Sequence, residues 1–202
     1  MSVRDARGLG VLLVAVAVAV GGSAVVGAVP SGAGPAGGVP SGAVSPSKQA
    51  PTGIDSCTTI DEPGEYVLTT DIENGGKTAI SKACITITAD DVTFDGGDHR
   101  IDGRGVSHTK GVHVRDAEEV TVENVEVDDW HSGLLVTGGS ATIRNVTTFS
   151  NAYGVRLERA TDVRITDSIV TNNLVGVYTD TESLTLDGTE FSENGMEIKR
   201  DY

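Results

Sequence analysis

After residue 55, hydrophobic residues alternate with polar ones in short runs that recur every 21 or 22 residues. A glycine followed by apolar residues opens each unit, as in GVHV at 111, GLLV at 133, GVRL at 154, GVYT at 176 and GMEI at 195. A second alternating pair follows, as in Val120/Val122, Ala141/Ile143, Val163/Ile165 and Leu184/Leu186. Alternation with a period of two is typical of β-strands, and no stretch shows the longer period of a helix.

Each unit also has a turn residue and a third short strand. Two residues beyond the second pair stand residues that tolerate a left-handed backbone, namely Gly96, Asn124, Asn145, Asp167 and Gly188. Runs such as Val125/Val127 and Val146/Thr148 then follow. Strands this short are stable only when each pairs with its equivalent one unit away, at about 4.8 Å. The repeat therefore predicts the coils of a parallel β-helix, with Val122, Ile143, Ile165 and Leu186 in one interior file.

These coils resemble the pectin-lyase-like superfamily, and more narrowly its NosD-type and carbohydrate-binding/sugar-hydrolysis repeats. The segments CTTIDEPGEYVLTTDI and ACITITADDVTFDGGDHRIDG resemble the N-terminal cap and first coil of exported haloarchaeal β-helix proteins. The resemblance implies an all-β, single-stranded, right-handed parallel β-helix with three sheets and an N-terminal cap. It does not imply one function, because this fold hosts enzymes and non-enzymes alike.

The chain before this repeat has a different composition. Residues 1–29 carry Arg4 and Arg7 ahead of an apolar run, which predicts a signal peptide or a retained membrane anchor. Residues 30–54 are rich in Pro, Gly, Ser and Ala and are predicted to form a flexible linker. The β-helix domain is predicted over 55–202. Either form of the N-terminus places that domain outside the cytoplasm, secreted or on the extracellular face of the membrane.

The predicted domain is strongly acidic. Residues 55–202 contain 28 of the 29 acidic residues and 12 of the 15 basic residues, a formal charge of −16. That charge argues against nucleic acid or an anionic membrane surface as a partner, so membrane contact is expected only through the N-terminal anchor. The acids are spread along the chain, which favours a salt-adapted surface over a cation-binding site.

Two cysteines, Cys57 and Cys84, stand at the start of the domain. In an exported protein such a pair is expected to form a disulfide rather than two buried thiols.

Candidate chemistry is concentrated where the first coil is longer than the others, in a loop predicted over 96–110, and in the following corner at 128–131. An indole ring can stack on the apolar face of a sugar, so the sole tryptophan marks a candidate carbohydrate site. The predicted ligand-binding residues are Trp130, His131, His108, His113 and Arg104. The competing interpretation is that Trp130 covers the core where later coils have Asn151, Asn173 and Asn194.

Catalytic candidates are Asp128, Asp129 and His131, but acids do not recur at this corner in later coils. We therefore expect an exported, non-catalytic module that binds an extracellular polysaccharide or another envelope component, without a metal or cofactor. One alternative is a polysaccharide lyase or glycoside hydrolase that acts through the loop and the corner. The other is a purely structural solenoid. Self-association is a further expectation at the C-terminal end, because an open solenoid end exposes sheet edges.

Overall fold

The computed structural model describes residues 50–202; the predicted signal or anchor segment and the linker up to residue 49 lie outside the described residues. The described part is built from strands, with one short 3-10 turn at Asn74–Lys77. The strands are β1 (Thr52–Ile54), β2 (Thr58–Ile60), β3 (Gly64–Leu68), β4 (Ala83–Ile87), β5 (Val92–Asp102), β6 (Lys110–Arg115), β7 (Val120–Asp128), β8 (Ser132–Thr137), β9 (Ser140–Phe149), β10 (Tyr153–Glu158), β11 (Asp162–Thr166), β12 (Ile169–Thr171), β13 (Val175–Thr179), β14 (Leu184–Asp187), β15 (Glu190–Ser192) and β16 (Met196–Arg200). Within residues 50–202, no helix is long and apolar enough to cross a membrane.

The strands form two parallel sheets wound as a solenoid. A seven-stranded sheet has the order β16-β13-β10-β8-β6-β4-β2, and a nine-stranded sheet contains β1-β3-β5-β7-β9-β11-β14 with β12 and β15 attached. Each strand therefore pairs with its equivalent one coil away, as the repeat predicts. The first strand, β1, lies within the last residues that the sequence assigns to the linker.

The third face of each coil is continuous with the second. In β7 and β9 one strand runs through both faces and bends at Asn124 (φ 51°) and Asn145 (φ 50°), so hydrogen bonding joins the two faces into the nine-stranded sheet. The first coil differs from the prediction, because its left-handed residues are Gly97 and Asp98 rather than Gly96. The pairing register shifts between Asp95 and His99, which moves the bend along the strand.

Both boundaries of the loop predicted over 96–110 are wrong. His99 to Asp102 pair with β7, and Lys110 begins β6, so the irregular segment covers only 103–109. The bulge in β5 absorbs two of the extra residues of this coil, and most of the rest lie in the 103–109 segment, since Ile101 and Val112 are 11 positions apart and their equivalents Val127 and Leu134 are 7 apart.

The predicted core file is confirmed. Strand register places Phe94, Val122, Ile143, Ile165 and Leu186 opposite one another in successive coils. The first four are at most 1% exposed, whereas Leu186 in the last of these strands is only half-buried.

A second interior file is polar. Asn151 and Asn173, 4% and 3% exposed, stack with Asn194 at the corner ahead of the seven-stranded sheet. Asn173 Oδ1 accepts the backbone N–H of Asn151 (3.0 Å), and Asn194 Oδ1 accepts that of Asn173 (3.0 Å). We call these three residues the asparagine ladder. The recurring glycine lies close to the backbone of a neighbouring coil, since a Cβ on Gly154 would lie 2.7 Å from the carbonyl oxygen of Gly176 and 3.0 Å from Asn173 Nδ2.

The disulfide expected between Cys57 and Cys84 is present, with the two Cα atoms 4.4 Å apart. It ties the segment before β2 to β4 in the next coil. Closing a loop of 27 positions contributes roughly 3–4 kcal/mol in the chain-entropy account.

Candidate functional site

A row of half-buried and exposed rings runs across the coils on the outer surface beside the seven-stranded sheet. His108 stacks on His131 with ring centroids 5.1 Å apart and planes inclined by 15°. The centroid of His131 is 5.5 Å from Tyr153, and that of Tyr153 is 5.8 Å from Tyr178. These four residues, one from each of four successive coils, are called the aromatic strip. At about 4.8 Å per coil the strip is roughly 15 Å long.

The coil repeat places these rings beside one another. His131 immediately precedes β8, and Tyr153, the first residue of β10, pairs in register with Ser132. Tyr178 lies in β13, opposite Arg156 of β10. Tyr153 and Tyr178 are thus held by strands at different positions of their coils, whereas His108 lies in the irregular segment 103–109 and His131 immediately before β8.

Cationic side chains flank the strip. The guanidinium carbon of Arg156 is 5.0 Å from the ring centroid of Tyr153 and 5.4 Å from that of Tyr178. Lys199 Nζ is 5.5 Å from the Tyr178 centroid. Arg156 pairs with Glu158, yet within residues 50–202 its Nε has no hydrogen-bond partner. The strip thus combines ring surface with partly exposed cationic side chains, a combination that suits a polar ligand carrying apolar faces.

The imidazole of His131 is held in its neutral form. Burial lowers the pKa of His131 below its usual value, and His108, Arg156 and Lys110 nearby lower it further. Burial likewise lowers the pKa of Lys110, with Arg156 adding to the effect. The cationic groups beside the strip are therefore Arg156, Lys199 and Lys110, on a domain that is otherwise acidic.

The five predicted ligand-binding residues are not gathered in one place. His108 and His131 meet in the strip, but His113 instead has its Nε2 3.1 Å from Thr137 Oγ1. Burial, with Lys110 and Arg115, lowers the pKa of His113 to about 4. Arg104 is exposed and lines a surface hollow with residues 73–77 of the 3-10 turn region.

The prediction that Trp130 stacks on a sugar is wrong, because its ring is only 3% exposed. Its Nε1–H donates to the carbonyl of Ile101 (3.0 Å), and its backbone N–H donates to Asn151 Oδ1 (2.9 Å). The indole also lies against Gly75 of the 3-10 turn. Trp130 therefore ends the asparagine ladder and covers the core, which is the competing interpretation from the sequence.

The acidic corner brings three carboxylates together. Oxygens of Asp102, Asp128 and Asp129 lie within 4.8 Å of one another. Asp128 is 1% exposed and is held by Arg100, whose Nε donates to Oδ1 at 2.7 Å and whose Nη2 donates to Oδ2. Burial raises the pKa of Asp128 and Arg100 opposes that rise. A cation at this cluster would have to displace the guanidinium, so the arrangement fits an internal ion pair.

Residues 110–201 match the family model described as "right handed beta helix region". That match covers the regular coils from β6 to β16, whose parallel pairing has just been described. The fold is a right-handed parallel β-helix. Comparison with curated proteins and with solved structures gave no match to the chain.

Sequence reasoning missed the C-terminal half of the aromatic strip in this β-helix. Tyr153 directly precedes the Gly154 pair, and Tyr178 follows the Gly176 pair, so both belong to the repeat that defines the coils. Whether the rings of Tyr153 and Tyr178 lie close to His131 depends on where each side chain projects from its coil. The available signal was the recurrence of rings at the same corner after His131.

Proposed function

We propose that this β-helix is an exported, non-catalytic module that binds an extended polysaccharide along the aromatic strip. The observation that carries the proposal is the row of rings, spaced 5.1 to 5.8 Å apart over four coils. A linear sugar polymer lying along the solenoid axis meets one ring per coil, so several weak contacts act together. The coils' resemblance to pectin-lyase-like repeats also favours a sugar ligand over another envelope component.

Arg156 gives the proposal its polar contact. Its guanidinium lies between the two tyrosine rings and its side chain is 29% exposed, so the outer guanidinium nitrogens, rather than the buried Nε, can donate to a ligand hydroxyl or carboxylate oxygen. Export is supported by the Cys57–Cys84 disulfide, which is typical of oxidising compartments.

The test is binding of the full chain to a glycan array, followed by titration calorimetry with the polysaccharide that binds. Tyr178→Ala and Tyr153→Ala are each expected to weaken binding about 2- to 10-fold, since a ring contact is worth about 0.5–1.5 kcal/mol. Tyr66→Ala is the matched control, because Tyr66 is half-buried on β3 of the other sheet. Equal affinities for Tyr178→Ala and Tyr66→Ala would contradict the assignment of the strip.

Polysaccharide cleavage at the acidic corner is the second candidate, supported by the close approach of Asp102, Asp128 and Asp129. It is distinguished by release of new reducing ends or unsaturated products from the bound polymer. We expect no release. Release that disappears in Asp129→Asn and persists in Tyr178→Ala would replace the binding proposal with an enzyme.

A further inference from the structure

The C-terminal end of the β-helix presents three strands that are paired on one side only. Within residues 50–202, β14 pairs only with β11, β15 only with β12, and β16 only with β13. Each leaves a row of backbone N–H and C=O groups free for another strand. At the opposite end, β1 and β2 are only three residues long, so the C-terminal end has the larger free edge.

The interior of the solenoid is also uncovered at this end. Leu184, Leu186, Phe191 and Ile198 are only partly buried, whereas their partners one coil earlier, Val163, Ile165, Val170 and Val177, are at most 1% exposed. Met196 is 48% exposed. Within the described residues no further amide accepts the backbone N–H of Asn194, so the asparagine ladder stops there. Among the described residues, no further coil covers this one.

The free edge of β16 presents backbone N–H and C=O groups from alternate residues only. Met196 donates its N–H to Leu174 of the previous coil (3.1 Å). Asp201 donates its N–H to Thr179 (2.9 Å), and the carbonyl oxygen of Glu197 lies beside Gly176, so from Glu197 onward the odd-numbered residues face β13. Because successive residues of a strand point their backbone groups to opposite sides, Ile198 and Arg200 direct their N–H and C=O to the free edge. The side chains of Glu197 and Lys199 share the outer face of the sheet, since Ile198 between them points inward.

The charged side chains of Glu197 and Lys199 favour a second β16 strand as the partner. If β16 of a second copy pairs antiparallel with Ile198 opposite Ile198, each Glu197 faces Lys199 of the other copy. Sliding one strand by two residues in either direction puts Glu197 opposite Glu197, or Lys199 opposite Lys199, and a slide of one residue puts Glu197 or Lys199 opposite Ile198. Opposite charges across a strand pair stabilise it and like charges destabilise it, so the sequence of β16 is complementary to itself in one register.

We propose that two copies of this chain join end to end through their C-terminal coils, with β16 paired antiparallel to β16 about Ile198. The same residues contact one another in both copies, as a twofold axis requires. The half-buried apolar residues of each copy then cover those of the other. Joining the seven-stranded sheets in this way also brings the two aromatic strips onto one continuous surface, a consequence that rests on the proposed function.

The test measures the mass of the full chain by analytical ultracentrifugation over a range of concentrations, without any glycan. The wild type is expected to dimerise. Lys199→Glu places Glu opposite Glu twice, and Glu197→Lys places Lys opposite Lys twice, so each variant is expected to dissociate at concentrations about 10-fold higher or more. Glu118→Lys, a charge reversal of an exposed residue distant in sequence, is the control.

Two rescue measurements make the register testable. The double variant Glu197→Lys/Lys199→Glu restores opposite charges in both pairs, and its dimer is expected to recover. A mixture of the two single variants is expected to form the mixed dimer in preference to either self-dimer. A wild type that stays monomeric, or a dimer indifferent to these charges, would overturn the proposal. Because no ligand is present, failure here leaves the polysaccharide proposal to be judged by its own experiment.

Discussion

The asparagine ladder should contribute strongly to stability, and Asn173→Ala is the change that tests it. Asn173 is 3% exposed. Its Nδ2 donates to the carbonyls of Thr148 (3.1 Å) and Thr171 (2.9 Å), and its Oδ1 accepts the backbone N–H of Asn151 (3.0 Å). Alanine removes all three contacts at once, in a position that two neighbouring coils enclose.

The expected loss follows from the groups left without partners. A buried polar group that loses its hydrogen bond costs about 1–3 kcal/mol, and three groups are affected, with some relief from relaxation. We therefore expect Asn173→Ala to lower the free energy of unfolding by about 3–5 kcal/mol. Equilibrium urea unfolding followed by far-UV circular dichroism measures this, at one fixed salt concentration because the domain carries a formal charge of −16.

The neighbouring residue supplies the control. Asn172 is exposed, has φ 52°, and donates from Nδ2 to Ser150 Oγ at 3.1 Å. Asn172→Gly keeps a residue that adopts this left-handed backbone and removes one exposed hydrogen bond, so its cost should stay below about 1 kcal/mol. If Asn173→Ala costs no more than Asn172→Gly, the ladder is not a major source of stability.

Two further predictions concern charged groups. Arg100→Ala leaves the buried carboxylate of Asp128 without its partner and should cost about 2 kcal/mol at pH 7, less than for a fully buried pair because Arg100 is 44% exposed. Burial raises the pKa of Asp128 and the loss of Arg100 raises it further, so the deficit should shrink as the pH falls and Asp128 takes up a proton. The exposed Arg104→Ala should change the free energy of unfolding by under about 0.5 kcal/mol. A deficit that is independent of pH would contradict the role given to Asp128. The pKa of His113 falls to about 4 on folding, so the unfolded chain binds the extra proton and stability is lost as the pH drops from about 6.5 through 4. His113→Gln should reduce that loss in urea titrations at pH 7 and pH 4.5, and an unchanged pH dependence would assign the loss to other groups.

Much of the fold could be predicted because the repeat is a local property of the chain. Alternation with a period of two fixes which residues point inward, and a constant spacing of 21 or 22 residues fixes which strand each one meets. Val122, Ile143 and Ile165 therefore line up as expected. Prediction was wrong where the period breaks, between Asp95 and His99, because only backbone pairing decides how a bulge absorbs extra residues.

The candidate site was predicted less well than the fold, and Trp130 shows why. The sequence alone identified a tryptophan beside acids and histidines. The burial of Trp130, however, depends on Gly75 of the 3-10 turn, 55 positions earlier, and on Asn151, 21 positions later. His131 and Tyr153 were likewise separated along the chain and became neighbours only through coil register. The sequence by itself determined the coil, its disulfide and its acidic surface, since these depend on composition and spacing. Which rings face solvent was decided by the tertiary structure, because exposure at a corner depends on everything that packs there.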